Sequence, residues 1–375
     1  MNAARIGTIF RLELLQRVRS VAWYVLLGIF AVLLLIVTAL TFLAVPPDPT
    51  GPAGSAIFSI IVYFVLLLVV LVSPTLSGNA INGDRDAATL APVQITLATT
   101  ADIIVGKLLA AWATGLAFLA VAVPFLILAM AAGGVSLSVL LVSLAILVVE
   151  IGVVAAIGIG FSGILARPLF SVAVTYLVVA ALVIGTLIAF GLGTAASRIE
   201  VESRSRYLEP APTQSLPTVP PECMTAEPGQ TEPLPQCMTP MPMPEPQYVC
   251  GPWSTTRYDS ARTDTVWWIL AANPFVILAD ATPSRFENGY PVDLFGNVKV
   301  LVRGAQKAPE AVQEYDGCVE GEQSYPTSEE QIAGSTPSWF VGLGVQLVLA
   351  GLLLWGAWSR TRTPSRRMPP GTRIA

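Results

Sequence analysis

Three groups of residues in this chain have the type and spacing to do chemistry. Glu150 is the only carboxylate deep inside an apolar run, near the middle of Val135–Leu165. An ionised carboxylate there would cost a few kcal/mol in hydrocarbon, so it must face other helices, carry a proton or pair with another chain. A helix-packing hydrogen bond and a place on a translocation path are both open roles for it. Asp84-Arg85-Asp86, followed by Thr89-Leu90, forms a charged cluster in a short polar stretch between two apolar runs. Cys223, Cys237, Cys250 and Cys318 all fall in one further segment. Histidine is absent, which excludes histidine-based triads, zincin motifs and histidine kinases. A phosphate-binding Gly-x-x-x-x-Gly-Lys-[Ser/Thr] is absent too, because Ala101 stands where its first glycine belongs and Leu108 follows Gly106-Lys107. The chain is therefore not expected to hydrolyse ATP itself, and no cofactor is expected on it.

The elements that must position these groups are membrane spans. Hydrophobic residues make up 54% of the chain and charged ones 12%, where a soluble protein carries about a quarter charged. Mean hydropathy is +0.66. A crossing needs roughly 20 apolar residues. Six stretches meet or approach that length: Val21–Val45, Ala56–Leu76, Leu108–Ala131, Val135–Leu165, Leu169–Leu192 and Trp339–Trp358. The fourth exceeds one span and is read as one tilted or locally broken helix. Gly152, Gly158, Gly160 and Gly163 on it suit close helix packing, with a hinge as the alternative. The first run exceeds the apolar core of a cleaved signal peptide and is read as a retained anchor.

Charge sets the orientation. Arg5, Arg11, Arg17, Arg19, Arg85, Lys107, Arg167, Arg360, Arg362, Arg366, Arg367 and Arg373 all lie beside span ends that alternation assigns to the cytoplasm. The expectation is an all-α polytopic protein of the cell membrane with both termini cytoplasmic. It has an interfacial helix over residues 1–20 and five helices over 21–194 with a cytoplasmic loop at 78–107. An extracytoplasmic loop at 195–337, a sixth helix at 338–358 and a basic tail at 359–375 follow. Within Ile6–Ser20, Ile9, Phe10, Leu12, Leu15 and Val18 share one helical face, while Arg11, Glu13, Arg17 and Arg19 lie mostly off it. Such a helix lies on a membrane surface.

The loop Ala195–Pro337 is acidic and proline-dense, with nine basic residues against nineteen acidic ones. Its four cysteines suggest two disulfides of open connectivity. Zinc is the rival, without histidine or a Cys-x-x-Cys pair to favour it. Met238, Met241 and Met243 among prolines invite copper(I), but an extended strap is the simpler reading. Thr265–Ala279 is apolar, too short to span and broken at Asn273-Pro274. It suits a re-entrant or surface-lying segment, or the core of a small outer domain.

The stretch Gly78–Ala110 carries a family resemblance. Asp84-Arg85-Asp86, Ala88-Thr89-Leu90, Thr99-Thr100 and Gly106-Lys107-Leu108 occupy the places of an acidic-basic cluster, a Thr-Leu step, a Thr-rich turn and the opening of the third span. In these, in Phe10–Ser20 and in Ala272-Asn273-Pro274-Phe275, the chain resembles permeases of ABC transporters, specifically the type-2 exporter class. The large Cys- and Pro-rich insert departs from compact members of that family. The resemblance implies a permease subunit, dimeric as a homodimer or with a paralogous sibling, that couples to a separate ABC ATPase subunit. Asp84, Arg85, Asp86, Thr89 and Leu90 would contact that subunit, and the pathway would run near spans two and five. Other partners are the lipid bilayer and no nucleic acid. The physics of the loop agrees: Thr99 with Asp102 forms a capping box, so a helix should start there. Two rivals stay open: an ion-coupled secondary transporter or channel, and a non-transporting anchor whose outer loop binds a partner.

Overall fold

The structure is a computed structural model, and it describes residues 2–45, 53–88, 98–210, 248–319 and 327–361. Six of its helices are long and apolar enough to cross a membrane. They are α2 (Val21–Ala44), α3 (Ala53–Ser77), α5 (Thr100–Ala131), α6 (Leu137–Ile164), α7 (Pro168–Ala196) and α12 (Ser338–Thr361). Before them lies α1 (Ala3–Val18), and the short α4 (Asn82–Asp86) follows α3. The expected capping box forms at α5. Thr99 Oγ1 accepts from Asp102 N at 3.2 Å, and Asp102 Oδ2 accepts from Thr99 N at 3.1 Å.

The chain divides into two compact units. The first holds Met1–Ser197, Arg262–Ala308 and Pro326–Ala375, with α6 at its centre against α3, α5, α7 and α12. Its run is a single unbroken helix. The glycines of α6 are packing glycines. A Cβ at Gly158 would lie 1.9 Å from Ser77 Oγ, one at Gly160 2.5 Å from Leu353 Cβ, and one at Gly163 2.4 Å from Ala357 Cβ. Between α5 and α6, Gly133 and Gly134 take positive φ (100° and 76°), which residues with a Cβ rarely adopt.

The irregular turn lies in the fifth apolar helix instead of the fourth. Residues Ala181–Gly185 of α7 form a π turn. A wide turn of this kind leaves backbone groups needing partners. Val183 O accepts from Asn273 Nδ2 at 2.7 Å, and Thr186 Oγ1 lies 3.0 Å from the same nitrogen. Asn273 sits at the break between α8 (Trp267–Ala271) and α9 (Pro274–Ala281). Leu270, Ala271, Ile277, Leu278 and Ala279 are buried, so this segment does not lie on a surface; it enters the helical unit and packs on α7 and α12. Asp280 then ties α9 to α10 (Leu294–Gly304) and α12. It accepts from Arg303 Nε at 2.5 Å, Ser338 Oγ at 2.8 Å and Trp339 N at 3.0 Å. The last of these satisfies an N–H at the start of α12. A short helix α11 (Ser328–Ala333) precedes α12.

The second unit, Arg198–Ala261 with Pro309–Tyr325, corrects the all-α expectation. Its strands are β1 (Arg198–Arg206), β2 (Leu208–Pro210), β3 (Tyr248–Cys250), β4 (Ser254–Ala261) and β7 (Val312–Asp316). They form a sheet of order β4-β1-β7 and a two-stranded ladder β2-β3. A further pair, β5 (Phe286–Glu287) with β6 (Tyr290–Pro291), belongs to the helical unit. β1 runs antiparallel to β4, pairing Val201 with Tyr258, and parallel to β7, pairing Arg206 with Asp316. The single stretch 195–337 read from composition is thus split, because its apolar helices in Arg262–Ala308 bury against the spans.

Candidate functional site

The charged cluster at Asp84 belongs to a larger node. The chain leaves α3 through Gly78, where a Cβ would meet Pro74 O at 2.7 Å and Val172 Cα at 3.1 Å. The elbow is then pinned to α6 by Ser162. Its hydroxyl accepts from Ile81 N at 2.8 Å and Asn82 N at 3.2 Å, and donates to Asn82 Oδ1 at 3.0 Å. Asn82 is fully buried, so these bonds answer its polar groups. They also aim α4 at the first turns of α5.

Lys107, on the second turn of α5, receives two carboxylates there. Its ammonium pairs with Glu13 of α1 and lies 2.6 Å from Asp84 Oδ2 of α4. The Lys107 side chain is 4% exposed, which makes both pairs matter, since a buried ammonium needs compensation. One turn after Glu13, Arg17 donates from Nη2 to Leu76 O at 2.9 Å and from Nη1 to Thr114 Oγ1 at 3.2 Å. A cation on the last carbonyls of α3 also opposes the helix dipole favourably. Burial lowers the Arg17 pKa, and the neighbouring Glu13 carboxylate works against that shift. At the other end of α1, Asn2 N donates to Asp102 Oδ1 at 3.0 Å. Three elements, α1, α4 and α5, are thereby joined through ions as well as through the packing of Ile9 against Ile81, Ile103 and Ile104.

This arrangement gives α1 a polar, inward side. Glu13 and Arg17 face the helical unit, while Leu12, Leu15 and Val18 are 56%, 42% and 46% exposed. Of the singled-out cluster, Asp84 is taken by Lys107, whereas Arg85 is half-buried, Asp86 is exposed, and both lack a side-chain partner among the described residues. Thr89 and Leu90 lie outside the described residues. The ammonium of Lys107 and the carboxylates of Glu13 and Asp84 are engaged with one another in ion pairs.

Glu150 sits apart from this node, midway along α6 and 1% exposed. Its polar neighbour is Gln346 of α12. Gln346 Nε2 donates to Ala272 O at 3.1 Å. Both carboxyl oxygens of Glu150 and Oε1 of Gln346 lack a hydrogen-bond partner among the described residues. Of the cysteines, Cys250 and Cys318 form a disulfide with Cα atoms 5.7 Å apart, while Cys223, Cys237 and the methionine-proline stretch lie outside the described residues.

Sequence reasoning missed Glu13 and Lys107 as partners, and Asp280 and Asn273 as fasteners. A lysine at the mouth of an apolar run was the available signal for the first pair, and Asn-Pro inside an apolar run for the last. No known protein family matches the chain, and no curated protein matches it.

Proposed function

We propose that the chain is the membrane-spanning permease subunit of an ATP-driven ABC transporter of the type-2 exporter class, with ATP hydrolysed on a separate subunit. The observation that carries this reading is the Lys107 node. It gathers α1, α4 and α5 at the end of the helical unit where the arginines of α1 lie, and leaves Arg85 and Asp86 without a side-chain partner among the described residues. An ATPase needs such a handle: a push on α4 reaches α5 through Asp84 and Lys107, and α1 through Glu13. In this reading that end is cytoplasmic, as the positive-inside rule favours, and the protein resides in the cell membrane. The sheet unit then lies outside, where a disulfide persists. A second permease, identical or paralogous, completes the pathway.

Copurification tests the reading directly. An ATPase subunit should come with the parent chain. Replacing Arg85 and Asp86 together by alanine should cut that association tenfold or more, because charge-assisted contacts are each worth about 1.5–3 kcal/mol. Absence of any ATPase with the parent chain would remove the ABC reading.

A second reading, ion-coupled transport, draws on Glu150 and its unsatisfied oxygens. It takes the place of the first if Glu150→Gln abolishes transport and no ATPase associates.

A further inference from the structure

Two apolar clefts adjoin on the α5 side of the helical unit. The first, about 500 Å³, lies between α1 and α5 and is lined by Ile6, Gly7, Phe10, Leu109, Trp112 and Leu116 among others. The second, about 450 Å³, lies between α5, α6 and α12 and is lined by Leu109, Trp112, Gly152, Val153, Leu347 and Gly351 among others. Each has the volume of a ligand site. Leu109 and Trp112 belong to both. The Trp112 indole donates from Nε1 to Val148 O at 2.9 Å, which holds the ring as a shared wall. The two clefts therefore form one trough that starts under α1 and ends at α12.

Two glycines lining this trough have open space around them among the described residues. A Cβ at Gly7 or at Gly351 would meet nothing within 4 Å, in contrast to Gly158, Gly160 and Gly163 of α6. A helix-interior glycine costs about 1 kcal/mol relative to alanine. What these two positions provide is depth in the trough.

Charge selects the occupant. Arg11 follows Gly7 by one turn of α1, is exposed, and makes no ion pair or hydrogen bond among the described residues. Glu13, the only acid on α1, is already consumed by Lys107. A cation one helical turn from the lining residue Gly7 thus stands beside a hydrocarbon floor, on a helix whose exposed Leu12, Leu15 and Val18 suit a lipid surface. We propose that this trough binds an anionic phospholipid, with one acyl chain lying along Trp112 and the headgroup phosphate held by Arg11. The site depends on the spans being in a bilayer and not on the transport reading.

The test uses the full chain in phosphatidylcholine vesicles carrying a trace of phosphatidylglycerol with a photoactivatable acyl chain. Irradiation and peptide mapping should place the label on Leu108–Leu116 and on the α12 segment around Gly351. Gly7→Leu and Gly351→Leu, which fill open space, should each reduce that label several-fold without lowering the thermal stability of the protein. Arg11→Gln should lower the preference for the phosphatidylglycerol probe over its phosphatidylcholine counterpart about fivefold. Label spread evenly over α2 and α7 would overturn the proposal, as would label undiminished in both leucine variants. Equal labelling by the two probes in the parent would remove the phosphate contact. Crosslinking of Trp112 to a second copy of the chain would give the trough to another protein and end the lipid assignment.

Discussion

The helical unit and the sheet unit are held together by different forces. The first buries Phe58, Phe118, Leu34, Ile61, Leu66, Leu147 and Ile151 at 2% exposure or less, and adds glycines that fit against named neighbours. In the second, Val201 is the only fully buried hydrophobic residue among the described residues. That unit relies on its strand ladders, the Cys250–Cys318 disulfide, the Arg206–Asp316 pair and Arg206 over the Trp253 ring at 4.7 Å. Arg206 holds the Asp316 carboxyl below its ordinary pKa, and Asp316 raises that of the guanidinium. The difference shows what each solvent allows. Helices surrounded by lipid gain nothing from apolar burial against one another, so shape and ions specify their contacts. A small sheet without a core needs a covalent closure.

The comparison breaks first at the node. Lys107→Met leaves Glu13 and Asp84 facing each other without their cation, and should destabilise the helical unit by about 3–5 kcal/mol. Denaturant unfolding in micelles measures it, and hydrogen exchange in β1 and β4 should stay at the parent rate. A matching loss of protection in the strands would mean that the two units do not stand independently.

Cys318→Ser reverses the contrast. The disulfide spans 68 residues, and its loss should cost the sheet unit about 3 kcal/mol. Exchange in Arg198–Arg206 and Ser254–Ala261 should rise steeply while Leu137–Ile164 keeps its protection. Unchanged exchange in the strands would show that ladder and ions suffice.

Within the helical unit, Gly160→Ala sharpens the comparison. Its Cβ would fall 2.5 Å from Leu353 Cβ, and overpacking of this kind costs about 1–3 kcal/mol. Gly351→Ala, in open space, should be neutral or stabilising. Equal effects of the two on thermal unfolding would remove shape as the source of specificity.

The smallest effect is a pH dependence at α10. Burial pushes the Lys299 pKa down to about 8 from 10.5, with Arg303 adding to the fall and Asp280 and Asp293 opposing it. Its ammonium donates to Thr282 O at 2.7 Å. Because the folded state gives up this proton before the unfolded state does, local stability should rise with pH from about 8 toward 10.5. The gain from pH 8 to 9 is about 1 kcal/mol. Lys299→Met should flatten the profile; an unchanged slope would assign the dependence to another group.

The spans were legible because lipid imposes one pattern, some twenty apolar residues in a row, that few other structures share. The start of α5 was legible because Thr99 and Asp102 cap it locally. What escaped was non-local. Glu13 and Lys107 stand 94 residues apart, and nothing in either neighbourhood announces the other. The inward turn of Glu13 on α1 escaped for the same reason, although Leu12, Leu15 and Val18 stay on the exposed side that an interfacial helix presents to lipid. The strand β1 hid in a polar run, RIEVESRSR, whose pairing depends on β4 and β7 far along the chain.

The π turn in α7 has one further effect. It holds one residue more than the α turn it replaces, and each residue of a helix advances about 100° around the axis. Everything beyond Gly185 is therefore rotated with respect to an uninterrupted helix, and Thr186 meets Asn273 only in that register. Deleting a single residue from Ala181–Gly185 would leave the hydropathy of this span almost unchanged. It would nonetheless exchange the sides that Thr186 and its neighbours show to protein and to lipid.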